Sequence, residues 1–493
     1  METLTKRIIA IVLIAVIGVG IGVTVWFFVA QPEAGYKRPG APSGIPDERI
    51  IKIGILGDTT DITGEGAYKG AYAAIKKINE AGGITGVHAD GPVYFALISV
   101  NTYEAEPFLD IAKGTLAAEK MMTQYEPDFV IGGFRTEAVM TYRETVLDEE
   151  IIFINTGAAT DSYCLSVLSN YARYKYCFRA MPINSTSLAK EITEFYALAI
   201  KPALEAEYPG LNVTKVAILR EDLEWTVPMS GILNGVYKSY WRANKTAYWY
   251  LKDYHGFNDN PWFNFTIVDE IAYPITATST DFTGYMNQLD TAGAQVVCPI
   301  ISAQGGIKMM TQYAQLDPKY MIVGIDVMSQ LGDDPDDKTG YWYDTDGGCN
   351  GEIIMQSTTR TNKTTQTIAM WDEYRTLWKK DPLYTAVGSY GAVELLAWAI
   401  NGTKSIDSDT IVAKLETITP ANPREGAGGW TGFTSTHDLY EGYDPATQRI
   451  YSVTLWVQWQ DDGTKKVVTS GGHIYPEWIV DTPIQFPTQG INT

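Results

Sequence analysis

Short unbroken apolar runs alternate along this chain with longer stretches in which apolar residues recur every three or four positions. The first four runs cover residues 51–56, 93–100, 129–131 and 151–154. A run apolar at every position reads as a strand buried on both faces, and the 3.6-residue period reads as an amphipathic helix. Helices are predicted over 67–81, closed by Gly82 and Gly83, over 107–124, and between the third and fourth strands. Strict alternation of the two patterns implies a parallel sheet with helices on both faces.

A second series opens at Lys215, where KVAILRE echoes KIGILGD at Lys52, and the echo suggests two lobes on one plan. It continues through predicted helices 229–241, 282–292, 306–315, 367–379 and 389–400 and strands 295–301 and 320–325. Residues 451–460 alternate as Val453, Leu455, Val457 and Trp459, the pattern of a half-buried strand.

The stretch 128–160 holds two predicted strand ends. One closes in Gly132 and Gly133, the other in the small, hydroxyl-bearing run Asn155 to Thr160. Strand ends at the carboxyl edge of an open α/β sheet are where small molecules bind, so this edge is the expected ligand site.

Ahead of the first strand, residues 8–30 are 23 consecutive uncharged residues behind Lys6 and Arg7. A helix of that length spans a hydrocarbon core of roughly 30 Å, and the basic flank keeps the N-terminus in the cytoplasm. Phe27, Phe28 and Val29 suit a signal-peptide cleavage site poorly, so an uncleaved anchor is expected, with the globular part outside the cell. Residues 31–49, rich in Pro and Gly, read as a semi-rigid tether.

The remaining composition narrows the function classes. A net charge of −20 argues against a nucleic-acid partner. The four cysteines lack zinc or redox spacing, and sequence proximity suggests the pairs Cys164 with Cys177 and Cys298 with Cys349. Sequons at Asn184, Asn212, Asn244, Asn264, Asn362 and Asn401 suit an exterior glycosylated surface. Gly64, Gly66 and Gly70 miss the dinucleotide fingerprint by one position, and no cofactor is expected. Asp333, Asp334, Asp336, Asp337, Asp344 and Asp346 lack ordered calcium-loop spacing and read as a solvated loop. No catalytic elbow, zinc-protease motif or phosphate loop occurs, and the four histidines are scattered, so no enzyme is expected.

Taken in order, IKIGILG with a following TG, INEAGGITG at Ile78, VIGG at Val130, INTGAAT at Ile154, YCFRAMP at Tyr176, AGAQVV at Ala292, VGID at Val323 and a Tyr-rich helix start near Tyr390 resemble one family. This is the type I periplasmic binding proteins of ABC importers, above all the branched-chain amino-acid group in a membrane-anchored, archaeal-like form. The resemblance implies an α/β fold of two Rossmann-like lobes joined by a three-segment hinge, closing on a ligand. It divides the chain into lobe one (50–180 and 357–430), lobe two (181–356 and 431–475) and a tail (476–493). By motif it implies Thr136, Ala158 and Thr160 as carboxylate binders, Asp326 as ammonium partner and Trp225 as an aromatic packing on the ligand.

Two positions depart from that pattern. Arg135 stands where the family usually has a small or uncharged residue, and either meets a second ligand carboxylate or pairs with Glu137 or Asp161. Ser302 replaces a stacking aromatic and widens the pocket. The implied function is capture of an amino acid or related small carboxylate and delivery to an ABC permease in the membrane. The alternatives are the sensing ectodomain of a receptor complex and an exterior hydrolase or structural protein that no longer binds.

Overall fold

Two sheets carry the molecule, and both follow from strands that are apolar at nearly every position. In the first, β1 (Ile50–Gly57), β3 (Gly91–Asn101), β4 (Phe129–Gly132), β5 (Phe153–Asn155) and β6 (Cys177–Arg179) are parallel, in the order β3-β1-β4-β5-β6. The antiparallel edge strand β2 (Ile84–His88) completes its six strands. In the second, β7 (Lys215–Glu221), β8 (Thr266–Tyr273), β9 (Val296–Ile301), β10 (Met321–Asp326) and β11 (Ile353–Gln356) run parallel in the order β11-β10-β9-β7-β8. Between β11 and the sheet's last strands lie two small hairpins, β12 (Arg424–Gly426) with β13 (Gly429–Thr431) and β14 (Tyr443–Asp444) with β15 (Arg449–Ile450). The antiparallel β16 (Leu455–Trp459) and β17 (Lys465–Val467) then close the seven-stranded sheet. Every residue of β4, β5, β9, β10 and β11 is buried, as helices on both faces require.

This computed structural model describes residues 35–105, 109–234, 265–302, 304–332, 337–471 and 474–493. The predicted anchor at 8–30, Asn244, Asn264, Asp333, Asp334 and Asp336 lie outside those residues. Among the described residues no helix is long and apolar enough to cross a membrane.

The chain passes between the sheets three times. It leaves the first sheet after β6 through the helix Ser185–Phe195 and leaves the second after β11 through residues 357–366. It then returns to the second sheet through residues 451–454. Helices Thr367–Trp378 and Tyr384–Thr403 pack against the helix Ile62–Glu80 of the first lobe. That last helix starts where Asp61 accepts from Thr63 N at 2.9 Å, one turn earlier than its apolar period suggests. Gly70 lets it meet the backbone of Ala386, because a Cβ there would lie 2.0 Å from that carbonyl.

Several sequence expectations change. Residues 431–450, assigned above to the second lobe, lie on β6 of the first: Phe178 meets Phe433, and Arg179 meets Asp438 at 2.7 Å. Residues 36–49, read as tether, are docked on the first lobe, with Lys37 and Leu97 exchanging backbone bonds and the Tyr36 hydroxyl donating to Tyr125 O. β16 is buried on both faces, because Phe195 stacks on Trp456 at 4.1 Å while Trp459 faces the opposite core.

All four cysteines are buried and none is in a disulfide. Cys298 and Cys349 belong to cores on opposite faces of the second sheet and do not face each other. Cys164 and Cys177 share the first lobe's core without a bond, and burial pushes the Cys177 thiol up to about 12.

Candidate functional site

The two glycine-rich strand ends do come together. Gly132 and Gly133 adopt φ of 127° and 88°, open to glycine at no steric cost, and turn the chain off β4 against Leu56 O. Gly157, after β5, lies against this turn so tightly that a Cβ would sit 1.8 Å from Gly133 O. The helix Thr136–Asp148 begins directly after the turn and brings Arg135 and Thr136 to the carboxyl edge.

Glu104, just beyond β3, holds this turn. Its carboxylate accepts from the backbone N–H of Phe134 (3.3 Å) and Arg135 (2.9 Å), and from the hydroxyls of Thr102 (2.7 Å) and Tyr142 (3.2 Å). Burial raises its pKa to about 7 despite those four donors. The strand-end N–H groups are therefore already paired with an acid of the protein itself.

The second strand end is also internally satisfied. Asn155 Oδ1 accepts from Gly157 N and Ala158 N, at 3.1 and 2.9 Å. The fully buried Arg179 guanidinium donates to the carbonyls of Ala158 and Thr160 and to Asp438. Thr160 spends its hydroxyl on capping the helix Asp161–Ser169.

From the second lobe, β7 ends in Glu221, which is fully buried. Its Oε2 accepts from Ser302 N at 2.9 Å and from Ser302 Oγ at 2.5 Å, and stands 4.0 Å from Nη1 of Arg135. Side chains of this pair are 1% and 0% exposed, so the two charges face each other across the lobes out of water. Burial raises the Glu221 pKa, and Arg135 and the Ser302 bonds pull it back. A second tie between lobes runs from Glu224 N to Glu137 Oε1 at 2.8 Å.

Beside the pair lies a cavity of about 50 Å³. Phe134, Trp225, Met355 and Tyr384 give it apolar walls, and Arg135, Ser302, Ser357 and Thr454 add polar groups. An apolar pocket with a few convergent polar groups is the usual form of a small-molecule site.

Of the residues expected from sequence, Arg135, Trp225 and Ser302 line this cavity, and Thr136, Ala158, Thr160 and Asp326 are not among its lining residues. Thr136 adjoins it, with a buried hydroxyl that has no hydrogen bond among the described residues. Asp326 is wholly engaged elsewhere: Tyr341 donates to it at 2.7 Å, Met328 N and Ser329 N at 3.0 and 3.3 Å, and it crowds Gly306. Burial lifts its pKa to about 7, and those donors oppose the rise. Arg135 faces Glu221 as its ion partner, where Glu137 and Asp161 were the intramolecular candidates.

Glu221 and Glu104 were not singled out from sequence. The signal for Glu221 was present, since the internal echo aligns it with Asp58, a buried acid directly after β1 whose carboxylate ties down Thr60 and Ala105. Among the sequons, Asn212, Asn362 and Asn401 are exposed. Asn184 caps a helix and donates its amide to Asp438 at 3.1 Å, so its nitrogen is engaged.

Residues 263–463 match the family described as "Periplasmic binding protein". No curated protein matches the sequence. Solved structures do. A branched-chain amino acid transporter substrate-binding protein from Streptococcus pneumoniae, in complex with isoleucine, is 17% identical, over 86% of this chain and 97% of that one, with TM-score 0.59. A leucine-binding protein from Thermotoga maritima is 13% identical over 87% and 99%, with TM-score 0.60. A solute-binding protein of an ABC transporter from R. palustris, in complex with benzoate, is 12% identical over 87% and 99%, with TM-score 0.59. The chain has the two-lobed fold of the type I periplasmic binding proteins, and residues 263–463 carry the sequence pattern of that family.

Proposed function

We propose that the chain is an extracytoplasmic solute-binding protein that captures an amino acid or a related small carboxylate between its lobes and hands it to an ABC permease. Residues 8–30 anchor it in the membrane with the lobes outside. The observation that carries the reading is the buried Arg135–Glu221 pair, one charge from each lobe, at the wall of an apolar cavity.

A zwitterion matches that pair. Its carboxylate replaces Glu221 as partner of the guanidinium, helped by the Thr136 hydroxyl, and its ammonium takes Glu221, while the side chain rests on Trp225 and Met355. Charge-assisted hydrogen bonds of this kind are short and strong, and in a dry cleft they favour the closed form by their differential contribution to it. Glu221 therefore takes over the ammonium role that the resemblance implied for Asp326, whose oxygens are already engaged.

Thermal melting of the full chain with a panel of amino acids, keto acids and benzoate tests this reading. A true ligand at 100 times its Kd adds about 2.7 kcal/mol and raises Tm by a few degrees. No shift with any carboxylate in the panel contradicts it. The relatives bound to isoleucine and benzoate mark the two ends of that panel, with and without an ammonium.

A further inference from the structure

The three crossovers between the lobes meet in a buried charged cluster. Lys363, in the second crossover, is 3% exposed, and its ammonium donates to Ser357 O in the same crossover at 2.7 Å and to Val453 O in the third at 2.6 Å. Glu191, on the helix Ser185–Phe195 that makes the first crossover, is also 3% exposed, and it accepts from Thr454 N at 3.1 Å and from the Thr454 hydroxyl in the third. Two buried ionisable side chains thus tie all three connections together. Ser357 and Thr454, the residues they hold, line the cavity beside Arg135 and Glu221.

We propose that Lys363 and Glu191 form a hinge pin: positioning residues, remote from the ligand, that set the angle at which the lobes meet and so bring Arg135 to Glu221. Val453 O and Thr454 N belong to one peptide unit of the third crossover, gripped from the second crossover by the Lys363 amine and from the first by the Glu191 carboxyl. Sliding of either crossover against the third would leave buried polar groups unpaired away from water, which is costly unless a partner replaces them. An apolar pin would allow several registers, whereas one that bonds fixed backbone groups permits few.

The surroundings agree with strain-free but expensive burial. Glu194, Glu441 and Tyr475 face Glu191, and Lys190 meets Glu441 at 3.5 Å. Burial lowers the pKa of Lys363 to about 7, with Glu191 opposing, and raises that of Glu191. Neither group is cheap to keep there, which fits retention for position.

The test needs no ligand, so its outcome is independent of whether the cleft binds a solute. Because every native cysteine is buried, spin labels attach selectively to Glu149→Cys on the first lobe and Asn287→Cys on the second, both exposed positions. Pulsed dipolar spectroscopy on the full chain then reads the interlobe distance. Wild type should give one narrow distance. Lys363→Met and Glu191→Leu should broaden it or add a longer population, and Glu191→Gln, which keeps an acceptor for Thr454 N, should restore most of the narrow peak. Asn79→Leu, which removes buried bonds to Pro39 O and Phe95 O inside the first lobe, serves as a destabilised control with an unchanged distance. Should Lys363→Met fail to fold, Glu191→Leu against Glu191→Gln decides. A wild-type-like distribution in the disrupted variants, with only Tm lowered, overturns the proposal, as does a broad wild-type distribution.

Discussion

Glu104 is a buried carboxyl held by four donors, and its pKa near 7 has a consequence for stability. The folded value lies above the ordinary one of 4.5, so the native state keeps a proton that the unfolded chain has lost between those limits. The stabilisation from that proton is complete below about pH 4.5 and is lost as pH rises through 7. Urea melts at pH 5 and pH 8 should show wild type losing roughly 2–3 kcal/mol relative to Glu104→Gln over that interval, at about 1.4 kcal/mol per pKa unit. A gap that does not change with pH contradicts the assignment. Glu221→Gln should act differently, lowering affinity for a zwitterion at least about tenfold, the effect of about 1.4 kcal/mol. It should also cost a few kcal/mol in stability, because the buried Arg135 loses the acid that faces it across the lobes. Asp326→Asn should leave affinity within about threefold of wild type, read by the same titration, since its oxygens serve Tyr341 and a backbone turn.

At this scale the sequence was legible only in part. Its glycine punctuation marked two turns that the structure brings together, and Arg135, Trp225 and Ser302 line the cavity beside them, because strand ends are local features. Asp326, which the resemblance turned toward a ligand, bonds Tyr341 and a backbone turn, since a motif marks a position on a strand and not the direction in which a side chain finds its partners. Glu104 was passed over because it follows β3 in an irregular stretch, and only tertiary packing brings it under Arg135.

Among the elements, the long apolar strands β1, β3, β9 and β10 were readable because burial on both faces leaves few polar positions to confuse them. Three cases among the strands missed show why. β6 and β11, with three and four residues, are too short to carry a period. β2 contains a glycine and is half exposed at an edge. β8 carries Asp269 and Glu270 on an exposed edge, where Arg220 takes Glu270 at 2.7 Å. The glycines separate packing from function. Gly70→Ala should drive the helices Ile62–Glu80 and Tyr384–Thr403 apart and cost about 1–3 kcal/mol, as overpacking does, while the folded fraction keeps its affinity. Gly157→Ala should cost as much and also weaken binding, because its Cβ would push the turn that carries Arg135. Denaturant melts paired with titrations distinguish the two, and equal effects on affinity would contradict the placing of the site at the second glycine.

For the molecule as a whole, the pattern of two βα series was enough to foresee two lobes, and the comparison structures bear out that architecture. What pattern could not supply is the seating of one lobe on the other. That depends on the Arg135–Glu221 pair, on Glu137 with Glu224, and on the crossovers, contacts between residues far apart in sequence with no periodic signature. The central claim, that the charged cleft between the lobes captures a small carboxylate-bearing solute, is tested most directly by titration calorimetry of the full chain against amino acids, their keto acids and benzoate. The prediction is saturable binding of one molecule per chain for at least one amino acid, weaker for its keto acid, and weakened at least about tenfold by Glu221→Gln. Absence of saturable binding across the panel, or binding untouched by Glu221→Gln, would contradict it.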